Sequence, residues 1–211
     1  SIPDKNIKEL FGKPLFYWIT NAAVNSGVDK VVVSTDSKEY ADIVTSHFPK
    51  IDIHMRSNKV STDEASTEAV ILEYLCDSEI DSEDTFILLQ ATSPMTTSDD
   101  ISEAISKYRK DNLSSLISVV ENKRFTWIES TTGEFFPQNY SPKDRPRRQD
   151  MYGEFVENGA IYINSVENII RDECRISGPN YGFHLMDEDT FFEIDEPSDW
   201  DVIEKRMKKR N

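Results

Sequence analysis

Long apolar runs are missing from this 211-residue chain. The longest, such as Phe86-Ile87-Leu88-Leu89, fall far short of the roughly 20 residues a membrane-spanning helix needs. No signal peptide is visible. Cysteine is scarce: Cys76 and Cys174 are too few for a disulfide framework or for a zinc site by themselves, and a reducing cytoplasm is the expected home. The three histidines, His47, His54 and His184, are scattered, with no partner at metal-ligand spacing. Positive charge is in short supply, with 24 Lys and Arg against 39 Asp and Glu and a net charge of −15. That balance argues against non-specific binding to nucleic acid or anionic membrane. Neither a GxxxxGKS/T phosphate loop nor a GxGxxG turn occurs, so neither a Walker-type ATPase nor a dinucleotide fold is indicated.

What is present alternates between two periods. Leu15–Ser26 carries helical spacing, with Leu15, Ile19, Ala22 and Ala23 on one face and Gly27 as its stop. Val31-Val32-Val33 is a compact strand, and Asp36 or Ser37 can cap a helix over Lys38–Phe48. Ile51–Met55 is a short strand. A helix from Ser66/Thr67 to about Cys76 follows, with Val70, Ile71, Tyr74 and Leu75 inward and Cys76 in the core. Phe86–Leu89 reads as a strand buried on both faces. Asp99 and Asp100 open a helix over Ile101–Asp111, and Leu116–Val120 is the next strand. Such alternation predicts an α/β domain with a mainly parallel sheet. No internal repeat or low-complexity linker interrupts it.

The pattern changes after Val120. Phe125–Ile128, a Gly133 turn and Phe135-Phe136 predict a hairpin, followed by a basic, proline-containing loop over Pro137–Gln149. Residues 121–155 are expected to form an inserted arm on a single domain spanning 1–211, its aromatics (Phe125, Trp127, Phe135, Phe136) facing a partner subunit. Glu157-Asn158-Gly159 is a turn signal before a strand at Ala160–Ile163. Ser165 caps a short helix, His184–Met186 and Phe191–Ile194 are strands, and Ser198 caps a final helix over Asp199–Lys208. Its basic end, Lys205–Arg210, complements the helix dipole and needs no function.

Several groups could carry chemistry. Ligands in open α/β sheets sit beyond the carboxyl ends of the strands, which is where Gln90, Thr92 and Ser93 fall. Lys143, Arg145, Arg147 and Arg148 form a cationic cluster in an acidic chain, and arginine's planar fork suits carboxylate and phosphate. Glu193-Ile194-Asp195, if extended, turns two carboxylates to one side, the kind of oxygen set that holds Mg²⁺ beside a polyphosphate. By itself an E-x-D is common in so acidic a chain. Lys5, in a loop before the first helix, could meet phosphates.

Seven segments in order give these signals weight together: IPDKNIKELFGKPL (2–15), VVVSTD (31–36), STDEAST (61–67), LLQATSP (88–94), RRQD (147–150), ENGAIYI (157–163) and EIDEPSDW (193–200). In this the chain resembles the acylneuraminate cytidylyltransferases, the CMP-sialic acid synthetases and their relatives acting on other nonulosonic acids. The resemblance implies a three-layer, Rossmann-like nucleotidyltransferase fold and a homodimer built through the arm. It implies transfer of CMP from CTP to a nine-carbon α-keto acid sugar, with release of pyrophosphate and with Mg²⁺ as cofactor. On the same basis Lys5, Asn6, Arg56, Ser66 and Thr67 would contact CTP. Gln90, Arg148, Gln149, Asn158 and Tyr162 would contact the sugar, with Arg148 receiving its carboxylate. Glu193 and Asp195 would hold metal, and Asp195 and Lys5 would be catalytic.

Three positions depart from the pattern: Ala91 and Tyr152 stand where proline is usual, and Glu193 replaces the commoner Asp. The family also begins with a strand and an A-R-x-x-S-K loop that cradles the triphosphate. This sequence starts after it, so that segment is expected to precede Ser1. The other readings to test against are a 3-deoxy-octulosonate cytidylyltransferase, which RRQD and ENGAIYI disfavour, and a non-catalytic sugar-nucleotide-binding protein.

Overall fold

A computed structural model describes residues 2–62, 64–151 and 153–210, with the side chain of Arg210 also left aside. The expectation at Tyr152 lies outside the described residues. The elements in order are β1 (Glu9–Leu10), β2 (Lys13–Pro14), α1 (Leu15–Asn25), β3 (Val32–Thr35), α2 (Lys38–His47), β4 (Asp52–Met55), α3 (Thr67–Asp77), β5 (Thr85–Leu89) and α4 (Ser98–Lys110). They continue with β6 (Ser115–Asn122), β7 (Trp127–Glu129), β8 (Phe135–Pro137), β9 (Glu154–Ser165), α5 (Val166–Asp172), β10 (Tyr181–Leu185) and α6 (Pro197–Arg210).

The main sheet has the order β10-β6-β9-β5. β10 and β6 are parallel, and β9 is antiparallel to both β6 and β5, so β5, β6 and β10 share one direction. β3 and β4 form a separate parallel pair. Helices cover both faces of the main sheet, which makes three layers. On one face Ala22 and Ala23 of α1 and Ile101, Ala104 and Tyr108 of α4 pack on Leu116, Val120, Ile161 and Ile163. On the other, Ile71 and Leu75 of α3 meet Val166 and Ile169 of α5. Alternation along β6 explains the division: Leu116 and Val120 serve the first face, Ile117 and Val119 the second. Burial of each such aliphatic side chain contributes about 1.5–3 kcal/mol.

Several expectations are corrected. β5 is covered on both faces, but β9 is its only strand partner among the described residues, and Phe86–Leu89 are half-buried rather than enclosed. Cys76 is exposed, on the outer side of α3. Asp99 and Asp100 do not start α4. Thr97 does, through a reciprocal capping box in which its hydroxyl accepts from the Asp100 N–H while the Asp100 carboxylate accepts from the Thr97 N–H. Glu157-Asn158-Gly159 is no turn, because β9 runs through it and the pairing with β6 shifts register between Ile117 and Val119. The left-handed backbone of Gly159 (φ +67°) absorbs the irregularity.

Phe191–Ile194 is not a strand either. A 3-10 turn over Glu188–Phe191 leads into irregular backbone. Ser198 lies within the first turn of α6 rather than before it. The side chain seen to tie that end is Asp199, also in the first turn, its carboxylate reaching back to accept from the N–H groups of Asp195 and Glu196. Of the hairpin aromatics, Trp127, Phe135 and Phe136 are exposed. Phe125 is half-buried, with the tilted Tyr140 ring centred 4.5 Å away and the Arg145 guanidinium 4.0 Å from its ring centre. No helix among the described residues is long and apolar enough to cross a membrane.

Candidate functional site

The segment after the 3-10 turn and the loop after β5 are joined by one backbone bond, in which the Ile194 N–H donates to the Thr92 carbonyl (3.0 Å). Ile194 is fully buried with Leu10, Leu15, Trp200 and Ile203. That anchor fixes the backbone on either side of it, and so positions Glu193 and Asp195 without any sheet ladder. Lys5 reaches the same place from the other end of the chain. Its ammonium donates to the Ile194 carbonyl at 2.8 Å and to the Asp195 carboxylate at 3.0 Å.

Glu193 is held differently. Burial pushes its carboxyl above the ordinary range, the neighbouring Asp195 charge adds to this, and the Thr92 hydroxyl and Lys5 only partly oppose it. Its carboxylate lies against Gly159, and a Cβ added there would overlap it. The ENG sequence therefore serves two needs at one residue: a positive φ for the bulge and room for an acidic side chain. Two carboxylates share one lysine in this corner, a charge arrangement that a divalent cation would relieve. No group of three or more His, Cys, Asp or Glu gathers among the described residues. A cation here would need phosphate or water oxygens as well, which is how Mg²⁺ is ordinarily held.

Tyr162 on β9 is buried and donates to Glu157 at 3.0 Å. Burial, followed by that carboxylate, pushes its phenol up to about 12. The Arg175 guanidinium sits 4.9 Å from the Tyr162 ring centre and pairs with Glu68 at 3.3 Å, one residue from Thr67. Ser66 caps α3, its hydroxyl accepting from the Ala69 N–H at 3.1 Å. Arg56 follows β4 and is tied to Ser34 through Nε (3.0 Å to Oγ) and Nη2 (2.9 Å to the carbonyl). Asn6 is exposed in the loop beside Lys5. Gln90 is half-buried directly after β5.

The structure thus brings Lys5, Glu193 and Asp195 together. It does not bring every expected residue to that point. Asn158 is fully buried beneath it: its amide oxygen accepts from Ser118 at 2.6 Å, and its nitrogen donates to Thr190 at 3.0 Å. Arg148 and Gln149 lie on an exposed 3-10 turn, with Arg148 3.5 Å from Glu188. Arg148 lines a cleft of about 240 Å³ with Lys123, Leu185 and Glu188. No hydrogen bond or ion pair among the described residues links it to Gln90, Tyr162 or Glu193. Sequence reasoning placed Thr92 at the ligand end of β5 and read Gly159, inside the ENG triplet, only as part of a turn; it passed over Arg175 and the partners of Arg56.

The comparisons agree with this architecture. N-acylneuraminate cytidylyltransferase A of Danio rerio is 36% identical over 210 residues, covering 98% of this chain and 47% of that protein. The N-acylneuraminate cytidylyltransferase of Streptococcus agalactiae serotype V is 32% identical, covering 89% of this chain and 46% of its own. The chain spans about half the length of these curated relatives. Among solved structures, a CMP:2-keto-3-deoxy-manno-octonic acid synthetase complexed with CTP superposes with a TM-score of 0.68 at 17% identity, over 100% of this chain and 94% of that one. A 4-diphosphocytidyl-2C-methyl-D-erythritol synthase from Anaerococcus prevotii gives 0.69 at 13%, over 96% and 93%. The family model for cytidylyltransferases matches residues 1–210. The chain belongs to the cytidylyltransferase family.

Proposed function

We propose that the protein carrying this chain transfers CMP from CTP to the anomeric hydroxyl of a nonulosonic, sialic-type acid and releases pyrophosphate. The observation that carries the reading is the convergence of Lys5, Glu193 and Asp195, from opposite ends of the sequence, beyond the carboxyl end of β5. The curated relatives are named for this reaction.

Both substrates are anions, and the chain is strongly acidic, so positive charge must be supplied locally. Lys5, Asn6 and Arg56, with Ser66 and Thr67 at the head of α3, are assigned to CTP. Gln90, Tyr162, Arg148 and Gln149 are assigned to the sugar, and Asn158 supports the site from beneath. Arg148, held only by a loose, exposed contact with Glu188, offers the fork that a carboxylate needs. Glu193 and Asp195 would hold Mg²⁺, which when bound supplies charge neutralisation at the phosphates. Lys5 orients Asp195, and Asp195 is assigned to take the proton from the attacking hydroxyl. The exposed hairpin aromatics, within an arm over 121–155, are assigned to a homodimer interface. Two free thiols suit a cytoplasmic protein.

The test is pyrophosphate release by the full-length protein with CTP, Mg²⁺ and a panel of nonulosonic and octulosonic acids. Release that requires both CTP and a nine-carbon acid is expected. Release only with an eight-carbon acid would move the assignment to an octulosonate enzyme. Silence across the panel with CTP still bound would leave a binding protein.

A further inference from the structure

Around Arg56 the structure arranges a ring of polar side chains with one gap, between His54 and Glu73. Ser34 and His54 are register partners on β3 and β4, so their side chains share a face, and Arg56, two residues beyond His54, shares it too. Arginine can only donate. The Ser34 hydroxyl must therefore accept from Arg56 Nε, at 3.0 Å, and its own hydrogen is available to His54 Nδ1, also at 3.0 Å, which we assign as the acceptor. With Nδ1 as acceptor the ring hydrogen sits on Nε2, which is buried without a hydrogen-bond partner and lies 3.7 Å from Glu73 Oε1, a proximity rather than a hydrogen bond. Glu73 in turn accepts from the backbone N–H of Ser57 at 3.0 Å and from the Ser57 hydroxyl. Ser57 is covalently next to Arg56, so the ring is complete except for the 3.7 Å gap between His54 and Glu73. Tyr74 packs edge-on against the imidazole, 5.2 Å between ring centres.

The ring has a directional result. Arg56 spends Nε and one face of Nη2 on Ser34 and makes no other side-chain hydrogen bond among the described residues. Its terminal fork is held in one orientation and left free for an anionic or carbonyl acceptor. An unrestrained arginine loses side-chain freedom when it binds; here the protein has removed that freedom in advance.

We propose that His54, backed by Glu73, is a positioning residue that fixes the Ser34 hydroxyl and through it the Arg56 guanidinium, and so sets affinity for CTP. The inference rests on the assignment of Arg56 to the nucleotide. Steady-state kinetics and calorimetric CTP binding on the full-length protein test it. His54→Leu is expected to raise the KM for CTP roughly three- to tenfold, with kcat and the sugar KM within about twofold of wild type. His54→Asn, whose Oδ1 can replace Nδ1 as acceptor, is expected to restore most of the affinity. Ser34→Ala is expected to match His54→Leu, and the double variant to be no worse than either single one.

If Arg56→Ala raises the CTP KM while both His54→Leu and Ser34→Ala leave it unchanged, the positioning role is wrong and the nucleotide assignment stands. An unchanged CTP KM in Arg56→Ala overturns both. Equal losses in kcat and in both KM values for His54→Leu, with no rescue by His54→Asn, would reduce the ring to a stability feature. Should His54→Leu fail to fold, Ser34→Ala and His54→Asn decide alone.

Discussion

Arg148 and Lys5 show how differently two cations can be kept. The Arg148 side chain is 66% exposed and its contact with Glu188 is loose. Exposed pairs of this kind contribute little to stability, so the side chain can be recruited by a carboxylate ligand at small cost. Arg148→Ala is expected to raise the sugar KM about tenfold or more, on the order of 1.4 kcal/mol, with the CTP KM unchanged. Lys5 is only 21% exposed and already committed to the Ile194 carbonyl and Asp195. Its removal disorients a neighbour rather than deleting a contact alone. Asp195→Asn should collapse kcat while the melting temperature barely moves, and near-wild-type turnover with Mg²⁺ would remove Asp195 from the mechanism. Gly159→Ala forces a Cβ onto the Glu193 carboxylate at a left-handed backbone position. It should impair turnover without changing any group that touches substrate.

The helix α4 carries a stability prediction that can be separated from function. Thr97→Ala breaks its capping box and should cost about 1 kcal/mol in urea denaturation. Burial pushes the Asp100 carboxyl up, but the His184 ring and the two Thr97 donors outweigh it and hold the group below the ordinary carboxylate range. A depressed folded value gives stability that is present above the unfolded value, about 4, and lost as pH falls through the folded one. Asp100→Asn should therefore be less stable than wild type at pH 7, and the gap should narrow as pH drops below about 4. At this scale the sequence was readable wherever one period dominated. The stripes of α1 and α3 and the run of β5 come within a residue or two of the observed ends. It misled where a short-range signal had a long-range use. ENG has turn chemistry but sits in a bulge, Phe191–Ile194 is apolar because Ile194 anchors a loop, and Cys76 falls on the wrong side of α3 by one position. His54 looked unpartnered because its partners, Ser34 and Glu73, come from other elements, and only the pairing of β3 with β4 brings them together.

For the whole molecule, the hairpin formed by β7 and β8 carries Trp127, Ile128, Phe135 and Phe136, each between 46% and 65% exposed. Replacing Trp127 and Phe135 by serine should shift the protein from dimer to monomer in sedimentation at micromolar concentration, and an unchanged sedimentation coefficient would acquit this surface. The main sheet ends at β5, whose residues pair with β9 from Thr85–Ser165 to Leu89–Ile161 and with no strand on the far side among the described residues. In an antiparallel pair successive amides point alternately toward and away from the neighbour. Hydrogen–deuterium exchange along Thr85–Leu89 should therefore read as a comb, with every second amide slow and the ones between fast. A uniformly slow β5 would mean that a further strand lies against its free side in solution.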